Sequence, residues 1–242
     1  MVGNKQLIAG HISQRYDAEL KGIIEQVLRM GYLASAQVEK ALQAFIQVDI
    51  ELAQQVIAED QLINSLELKI DEQCIEILAR RQPAASDLRV VVAVMKTIKD
   101  LERIGDQAKR IARAAMKLAE SDTRLNIHYN EFELIGQHVV TMLQHTLSAL
   151  QDLDAEKAYG AALEDKAIDQ DYEAILRQNI TYMMEDPRNI SRVVEMTWVA
   201  RAIERIGDHA RNICEYTIYL VKGRDVRHQA DDQLEAIAKS PR

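Results

Sequence analysis

The sequence predicts an all-α protein made of two tandem three-helix bundles, in which six long helices pack side by side. Three observations support this prediction. Apolar residues recur every three or four positions over long stretches, which is the period of one helix face. Only nine glycines and three prolines occur in 242 residues, too few for the many turns of an all-β fold. The stretch LERIGDQAKRIA at 101–112 returns as IERIGDHARNIC at 203–214, which indicates an internal duplication.

The duplication extends beyond that segment. Glu102 and Asp106 match Glu204 and Asp208 at an offset of 102 positions. Further upstream, EDQLIN at 59–64 matches EDKAID, which lies 105 positions later. The second copy is therefore three residues shorter than the first, and we expect it to hold the same three helices.

Each helix of the first copy has its own signal. An apolar stripe over 20–48 predicts the first helix. Asp49 is of the residue type that caps a helix N-terminus, so it ends this helix and opens the next. The second helix continues until Pro83 interrupts it. The third begins near Ser86 or Asp87 and carries the first repeated acidic segment.

The second copy repeats this plan. Asp154 takes the place of Asp49 as an N-cap. Asp186 and Pro187 suit the start of the last helix, and Gly223 suits the position just after its end.

These elements divide the chain into three parts. The first repeat spans 10–120, the second spans 129–223, and a polar tail that we expect to be partly disordered spans 224–242. Short connections force neighbouring helices to run antiparallel, so each repeat is predicted to be an up-down-up bundle.

Composition and charge exclude several classes of protein. Lys+Arg 30 against Asp+Glu 38 leaves a net charge of −8, whereas nucleic-acid binding needs a basic surface that displaces counterions. No stretch reaches 18 apolar residues, and the first residues lack the apolar core of a signal peptide, so a soluble cytoplasmic protein is predicted. Cys74 and Cys214 stand alone within apolar helical patterns, which indicates two buried, reduced thiols.

The repeated segment places a Glu and an Asp one turn apart on the same helix face. Two like charges at this spacing repel by about 0.2–0.5 kcal/mol unless something neutralises them. Gly105 and Gly207 fall within the apolar stripes, where a glycine costs roughly 0.5–1 kcal/mol relative to alanine. We therefore expect each glycine to permit the close approach of a neighbouring helix beside the acidic pair.

The residues leave two explanations of the acidic pairs open. In the first, the carboxylates are solvated and pair with arginines, Asp106 with Arg110 and Asp208 with Arg211. In the second, they bind a hard metal ion such as Mg²⁺, Mn²⁺ or iron through oxygen ligands. The candidate metal ligands are Glu102, Asp106, Glu204 and Asp208, followed by the weaker candidates Asp60, Asn64, Asp165, Asp169 and Asp100. Asp100 has Ala202 as its counterpart in the second copy.

The sequence carries no signal of an enzyme. The alternative function, a metal-binding helical bundle of the di-iron oxidase or storage type, would carry Glu-x-x-His on two of four helices. None of the six histidines has a Glu three positions before it. The glycine-rich phosphate loop, the GxSxG elbow and the HExxH motif are also missing from the sequence. We therefore expect no catalytic activity.

Five segments, taken in order, form a specific pattern: LARRQPAASDLR at 78–89, DLERIGD at 100–106, MMEDPRNISR at 183–192, ERIGDHARNI at 204–213 and YLVKGRDVRH at 219–228. Together they resemble the PhoU family of bacterial accessory proteins of phosphate signalling. The resemblance covers both repeats, essentially residues 10–228.

The resemblance implies a homodimeric negative regulator of phosphate uptake and of the phosphate-starvation response. It implies two partners, the ATPase subunit of the phosphate ABC transporter and a phosphate-sensing histidine kinase, through which alone the protein would associate with the membrane. Some members bind multinuclear iron or another divalent metal such as Mn, Mg, Zn or Ni through the paired acidic motifs, and others are seen without metal. Carried over by position, these motifs are Glu102 with Asp106 and Glu204 with Asp208.

Overall fold

The protein is all-α, as the sequence predicts. The structure, a computed structural model, describes residues 14–83, 85–120, 129–227 and 229–240. Within these ranges the chain forms α-helices and no β-strand. The helices are α1 (Gln14–Gln47), α2 (Ile50–Arg81), α3 (Ala85–Ala119), α4 (Asn130–Asp152), α5 (Ala155–Leu163), α6 (Asp165–Glu185), α7 (Ile190–Lys222) and α8 (Asp231–Lys239).

The first repeat is the three-helix bundle of α1, α2 and α3. Its turns follow the local signals in the sequence. The predicted N-cap is confirmed, because Asp49 Oδ1 accepts a hydrogen bond of 3.0 Å from the Leu52 N–H. At the other end of α2, Gln82 adopts the left-handed conformation with φ 46° and donates its backbone N–H to Leu78, which closes the helix just before Pro83.

The second repeat differs from the first in its middle helix, which is split into α5 and α6 at Glu164. Here the backbone tightens: Glu164 N–H donates to the Ala161 carbonyl at 3.1 Å, and Ala167 N–H donates to the Glu164 carbonyl at 3.0 Å. Both bonds span three residues instead of four, so a local 3₁₀-type turn interrupts the α-helix. The pair α5 and α6 otherwise occupies the place that α2 has in the first repeat.

The caps of the last long helix agree with the sequence prediction, with one refinement. Asp186 accepts a hydrogen bond from the Arg188 N–H and caps a short 3₁₀ turn over Pro187–Asn189, from which α7 continues. At its far end Gly223 has φ 73° and donates its N–H to the Tyr219 carbonyl at 2.8 Å. A glycine tolerates this left-handed conformation without steric cost.

The tail contains a helix that its polar composition did not predict. Leu234 and Ala238 are spaced four residues apart on α8 and are buried, and α8 packs mainly against α5. Asp231, at the start of α8, accepts a hydrogen bond of 3.0 Å from Arg211 on α7. A short apolar stripe plus one ion pair is therefore enough to fold this segment back onto the second repeat.

The two repeats share one core. Helix α3 packs along α7 at the centre of the molecule, and α1 packs against α4 beside them. Ile104 on α3 and Ile203 on α7 are fully buried. Across the second contact, the rings of Phe45 and Phe132 lie 5.1 Å apart. In the described ranges, none of the helices has the length and apolar character needed to span a bilayer.

Candidate functional site

Both glycines of the acidic segments face the middle helix of their own repeat. A Cβ atom on Gly105 would lie 3.2 Å from Ile63 Cδ1 and 3.5 Å from an oxygen of Asp60 on α2. A Cβ atom on Gly207 would lie 3.0 Å from Asp165 Oδ1 on α6. The missing side chains thus let each third helix approach the acidic residues of the neighbouring helix.

The first acidic site, which consists of Asp60, Asn64, Glu102 and Asp106, holds a lysine between its carboxylates. Lys109 Nζ lies 2.6 Å from Asp60 Oδ2 and 2.7 Å from Asp106 Oδ1. Asn64 adds a donor, since its Nδ2 lies 3.3 Å from Asp60 Oδ2. One ammonium therefore bridges two of the site's three carboxylates and links α2 to α3.

Glu102 stands apart from that ion pair. Burial raises the pKa of its carboxyl, and the charges of Asp106 and Glu67 raise it further. Arg103 Nε lies 3.7 Å from its Oε2, which is too far for a strong hydrogen bond. Proton binding by Glu102 is thus favoured relative to an exposed glutamate.

The second acidic site consists of Asp165, Asp169, Glu204 and Asp208, beside which lie two arginines. Oδ1 of Asp165 and Oε2 of Glu204 are buried and accept no hydrogen bond from the described part of the chain. Arg211 Nη1 lies 3.6 Å from Asp165 Oδ2, and Arg201 pairs with the other oxygen of Glu204. Two buried carboxylate oxygens therefore lack a donor, which is costly for a charged group.

The pKa values follow from this geometry. Burial, followed by the charge of Asp208, raises the pKa of Glu204 to about 7. Burial, followed by the charges of Asp169 and Asp208, raises the pKa of Asp165 to about 6. Burial also raises the pKa of Asp169. The second acidic site consequently binds protons far more readily than isolated carboxylates do.

Two changes between the copies explain why the sites differ. Asn64 of the first site becomes Asp169 in the second, and Lys109 becomes Arg211. The guanidinium of Arg211 is also shared with Asp231 at the start of α8. The second site therefore has one more carboxylate and a cation that is partly engaged elsewhere.

The donor chemistry of the second acidic site fits a hard cation better than that of the first. Its four side chains are all carboxylates, and two of their oxygens are unpartnered, whereas Lys109 bridges two carboxylates of the first site. As the side chains stand, the described residues contain no cluster of three or more His, Cys, Asp or Glu side chains arranged to hold a metal ion. Binding there would require these carboxylates to change rotamer.

Asp100, a weaker candidate ligand, contacts the other repeat. Its Oδ1 lies 2.7 Å from Nδ1 of His209 and 3.1 Å from Nδ2 of Asn212, both on α7. Its counterpart Ala202 is fully buried. The structure therefore places Asp100, an unduplicated candidate ligand, in a polar link between the repeats.

Neither of the two ion pairs predicted from sequence forms among the described residues, since Arg211 contacts Asp165 and Asp231 instead of Asp208. Asp106 pairs with Lys109, one position earlier than Arg110. The Arg110 guanidinium lies 5.8 Å from the ring centroid of Trp198 on α7. The pair of Asp106 with Lys109 could be predicted from the sequence, because residues three apart on a helix are neighbours. The contact of Arg110 with Trp198 joins the two repeats, and no local sequence pattern predicts it.

Comparisons with known proteins agree with this architecture. The family model described as "PhoU domain" matches residues 27–115 and 132–217, which include both acidic segments. A relative from Pseudomonas putida, named phosphate-specific transport system accessory protein PhoU homolog, is 49% identical over 233 residues, covering 96% of this chain and 91% of its own.

Two solved structures are similar in fold as well as in sequence. The crystal structure of PhoU from Pseudomonas aeruginosa has a TM-score of 0.83 at 49% identity and covers 86% of this chain and 100% of its own. The crystal structure of the phosphate transport system regulatory protein PhoU from Streptococcus pneumoniae has a TM-score of 0.80 at 33% identity. The match covers 87% of this chain and 98% of that chain. With both repeats matched in sequence and the helical architecture matched in space, this chain belongs to the PhoU family.

Proposed function

We propose that this protein restrains phosphate uptake and the phosphate-starvation response, as a non-enzymatic adaptor between the ATPase subunit of the phosphate ABC transporter and a phosphate-sensing histidine kinase. The observation that carries the proposal is the match to the P. putida accessory protein along 96% of the chain. The proposal also includes a cytoplasmic homodimer. The names of the relatives, accessory protein and regulatory protein of the phosphate transport system, support the regulatory part of the proposal.

The surface supports a role in binding. Five large apolar side chains are exposed around the connection from α6 to α7: Ile180, Met184, Ile190, Val194 and Trp198. Clustered exposed apolar residues are typical of protein–protein contact sites. A bundle with a filled core and an outward-facing apolar cluster is suited to docking partners.

The adaptor proposal is tested with purified components and in cells. The cytoplasmic portion of the kinase and the transporter ATPase, both from the same organism, should each bind the protein in a pull-down. In cells grown at high phosphate, deletion of the gene for this protein should raise expression of a phosphate-starvation reporter. Normal repression in the deletion strain would contradict the regulatory role. Binding of neither partner would contradict the adaptor role. Light scattering tests the homodimer against the monomer mass of 27.5 kDa.

We further propose that the second acidic site binds a divalent cation, iron or Mn²⁺ in particular, as hard carboxylate oxygens favour. The unpartnered oxygens of Asp165 and Glu204 support this assignment. In titration calorimetry, Asp165→Asn/Glu204→Gln should weaken Mn²⁺ or anaerobic Fe²⁺ binding by about tenfold or more. The matched change in the first site, Asp60→Asn/Glu102→Gln, should have little effect. Equal loss in both variants would overturn the assignment to the second site.

A further inference from the structure

A groove of about 520 Å³ lies between α3 and α7, the helices that join the two repeats. We call it the basic groove and define it by Arg110, Arg113 and Lys117 on α3 and by Trp198 and Arg205 on α7. It opens to solvent, and these five side chains are exposed. The groove therefore concentrates positive charge on a chain whose net charge is −8.

Three of the five cations that line the groove, all of them arginines, have no ion pair among the described residues. Arg113 and Arg205 make no ion pair with any residue that the structure describes. Arg110 stacks over the Trp198 ring at 5.8 Å. Two other cations that line the groove are paired, Lys117 with Glu195 Oε1 at 2.9 Å and Lys109 with Asp106 Oδ1 at 2.7 Å. The arginines of the groove thus have no ion pair among the described residues, and in an acidic protein such cations attract acidic ligands and speed their association.

The duplication supplies an internal comparison. At an offset of 102 positions, Arg110, Arg113 and Lys117 correspond in order to Asn212, Glu215 and Tyr219. Arg205 keeps a basic counterpart, Arg103. The tryptophan is replaced by Lys96, whose Nζ lies 5.4 Å and 5.6 Å from the ring centroids of Tyr216 and Tyr219. In the corresponding surface Lys96 thus contacts two tyrosines, and the three cations of α3 that define the groove have no basic counterparts on α7.

The groove also has an apolar side. Trp198 is 53% exposed, and Val194 and Ile190 precede it at four-residue steps on the same face of α7. Both are exposed as well. A free phosphate ion would use the arginines and leave this apolar strip in water. A ligand that uses both features carries carboxylates and apolar side chains together.

The geometry points to a docking site for an acidic, amphipathic helical segment of a partner protein. Its carboxylates would pair with Arg113 and Arg205, and an apolar side chain would cover Trp198. Guanidinium groups suit this role because their planar donors bind carboxylates in pairs. The inference deepens the proposed adaptor function, on which it rests, by locating one of its partner surfaces and the charge of that partner.

The groove contains its own reporter, because Trp198 is the only tryptophan of the chain. The probe is a synthetic peptide of about four helical turns with glutamates on one face and leucines on the other. The peptide should change the fluorescence emission of Trp198, and the anisotropy of a labelled peptide should report binding. About 0.5 M sodium chloride should weaken this binding. A peptide with lysines in place of the glutamates should not bind.

Two charge-matched variants test the location. Arg113→Glu/Arg205→Glu should weaken peptide binding by about tenfold or more, while retaining the Arg110–Trp198 contact. Arg29→Glu/Arg224→Glu changes the net charge equally at exposed arginines outside the groove and should leave binding unchanged. Equal binding by parent and groove variant would overturn the inference. So would a Trp198 response to inorganic phosphate, polyphosphate or single-stranded DNA without one to the acidic peptide.

The purified kinase portion and the transporter ATPase separate this inference from the adaptor function. Partner binding that the parent and the groove variant share equally overturns the groove and leaves the adaptor intact. Peptide binding in the groove with no binding of either partner overturns the adaptor and leaves the groove as an acidic-segment site. Loss of partner binding in the groove variant alone supports both.

Discussion

Burial and neighbouring carboxylates raise the pKa of Glu204 to about 7, so at the residue scale this side chain resists ionisation. Its ordinary value is 4.5. Between these two values the folded protein binds more protons than the unfolded chain does, and the free energy of unfolding must fall as pH rises. Asp165, whose pKa is raised to about 6, acts in the same direction. The second acidic site therefore destabilises the fold at neutral and higher pH.

Removing this charge should stabilise the protein at high pH only. In metal-free buffer with a chelator, Glu204→Gln should raise the free energy of unfolding at pH 8 by about 1–2 kcal/mol and change it little at pH 4. Urea denaturation at both pH values measures this. The control Glu173→Gln alters a side chain that is 70% exposed and should be neutral. Destabilisation by Glu204→Gln at pH 8 would contradict the prediction.

The same shifts predict the pH dependence of metal binding at the proposed site. Carboxylate ligands must lose their protons before they bind a cation. Mn²⁺ affinity should therefore decrease as pH falls from about 8 through the pKa values of Glu204 and Asp165, about 7 and about 6. Calorimetric titrations from pH 8 to pH 5.5 measure the trend. An affinity that is constant over this range would argue against these two residues as ligands.

At the scale of the elements, one glycine sets the contact between α6 and α7. A Cβ at Gly207 would lie 3.0 Å from Asp165 Oδ1 and 3.1 Å from Ile168 Cδ1, so a methyl group would force these side chains to move. We expect Gly207→Ala to lower the free energy of unfolding by about 1–2 kcal/mol.

The control for that change is Gly22, which lies within α1 and has no heavy atom within 4 Å of its ideal Cβ position. Gly22→Ala should stabilise the protein by about 0.5–1 kcal/mol through helix propensity. Thermal and urea denaturation compare the two variants. Stabilisation by both substitutions would contradict the prediction, because it would show that α6 and α7 can move apart without loss of stability.

The α8 helix gives a second prediction at this scale. Leu234 is 1% exposed and anchors α8 in its contact with the second repeat. Leu234→Ala should lower the free energy of unfolding by about 2–3 kcal/mol, the usual cost of truncating a buried leucine. Leu68→Ala removes a side chain that is 64% exposed and should have almost no effect. Equal stabilities for these two variants would mean that α8 does not pack as described.

At the scale of the whole molecule, the seam between α3 and α7 makes the two repeats one folding unit. An isolated first repeat would expose the face of α3 that α7 covers, including Asp100. We therefore expect one cooperative unfolding transition for the full chain and no stable fold for residues 1–120 alone. Calorimetry of both chains tests this. Two resolved transitions, or a fragment with native helicity and a sharp melt, would contradict it.

The link between Asp100 and His209 also belongs to the whole molecule because it joins the two repeats. No duplicated signal marked it, since Ala202 replaces the acid in the second copy. The difference between Asp100 and Ala202 is visible in the sequence, but His209, the partner of Asp100, lies 109 positions away in the chain. Sequence patterns report on neighbours within a turn or two of helix, and this contact is outside that range.

The sequence by itself determined the helical class, the two repeats, most helix ends and the glycine-bearing acidic segments. These follow from period, capping residues and similarity, all of which are local or internal to the chain. Only the tertiary structure decided that Lys109 bridges two carboxylates of one acidic site while the other site keeps unpartnered oxygens. It also decided that α8 folds back and that α3 and α7 form a basic groove. These outcomes depend on distances between residues far apart in sequence, and such distances are set by packing.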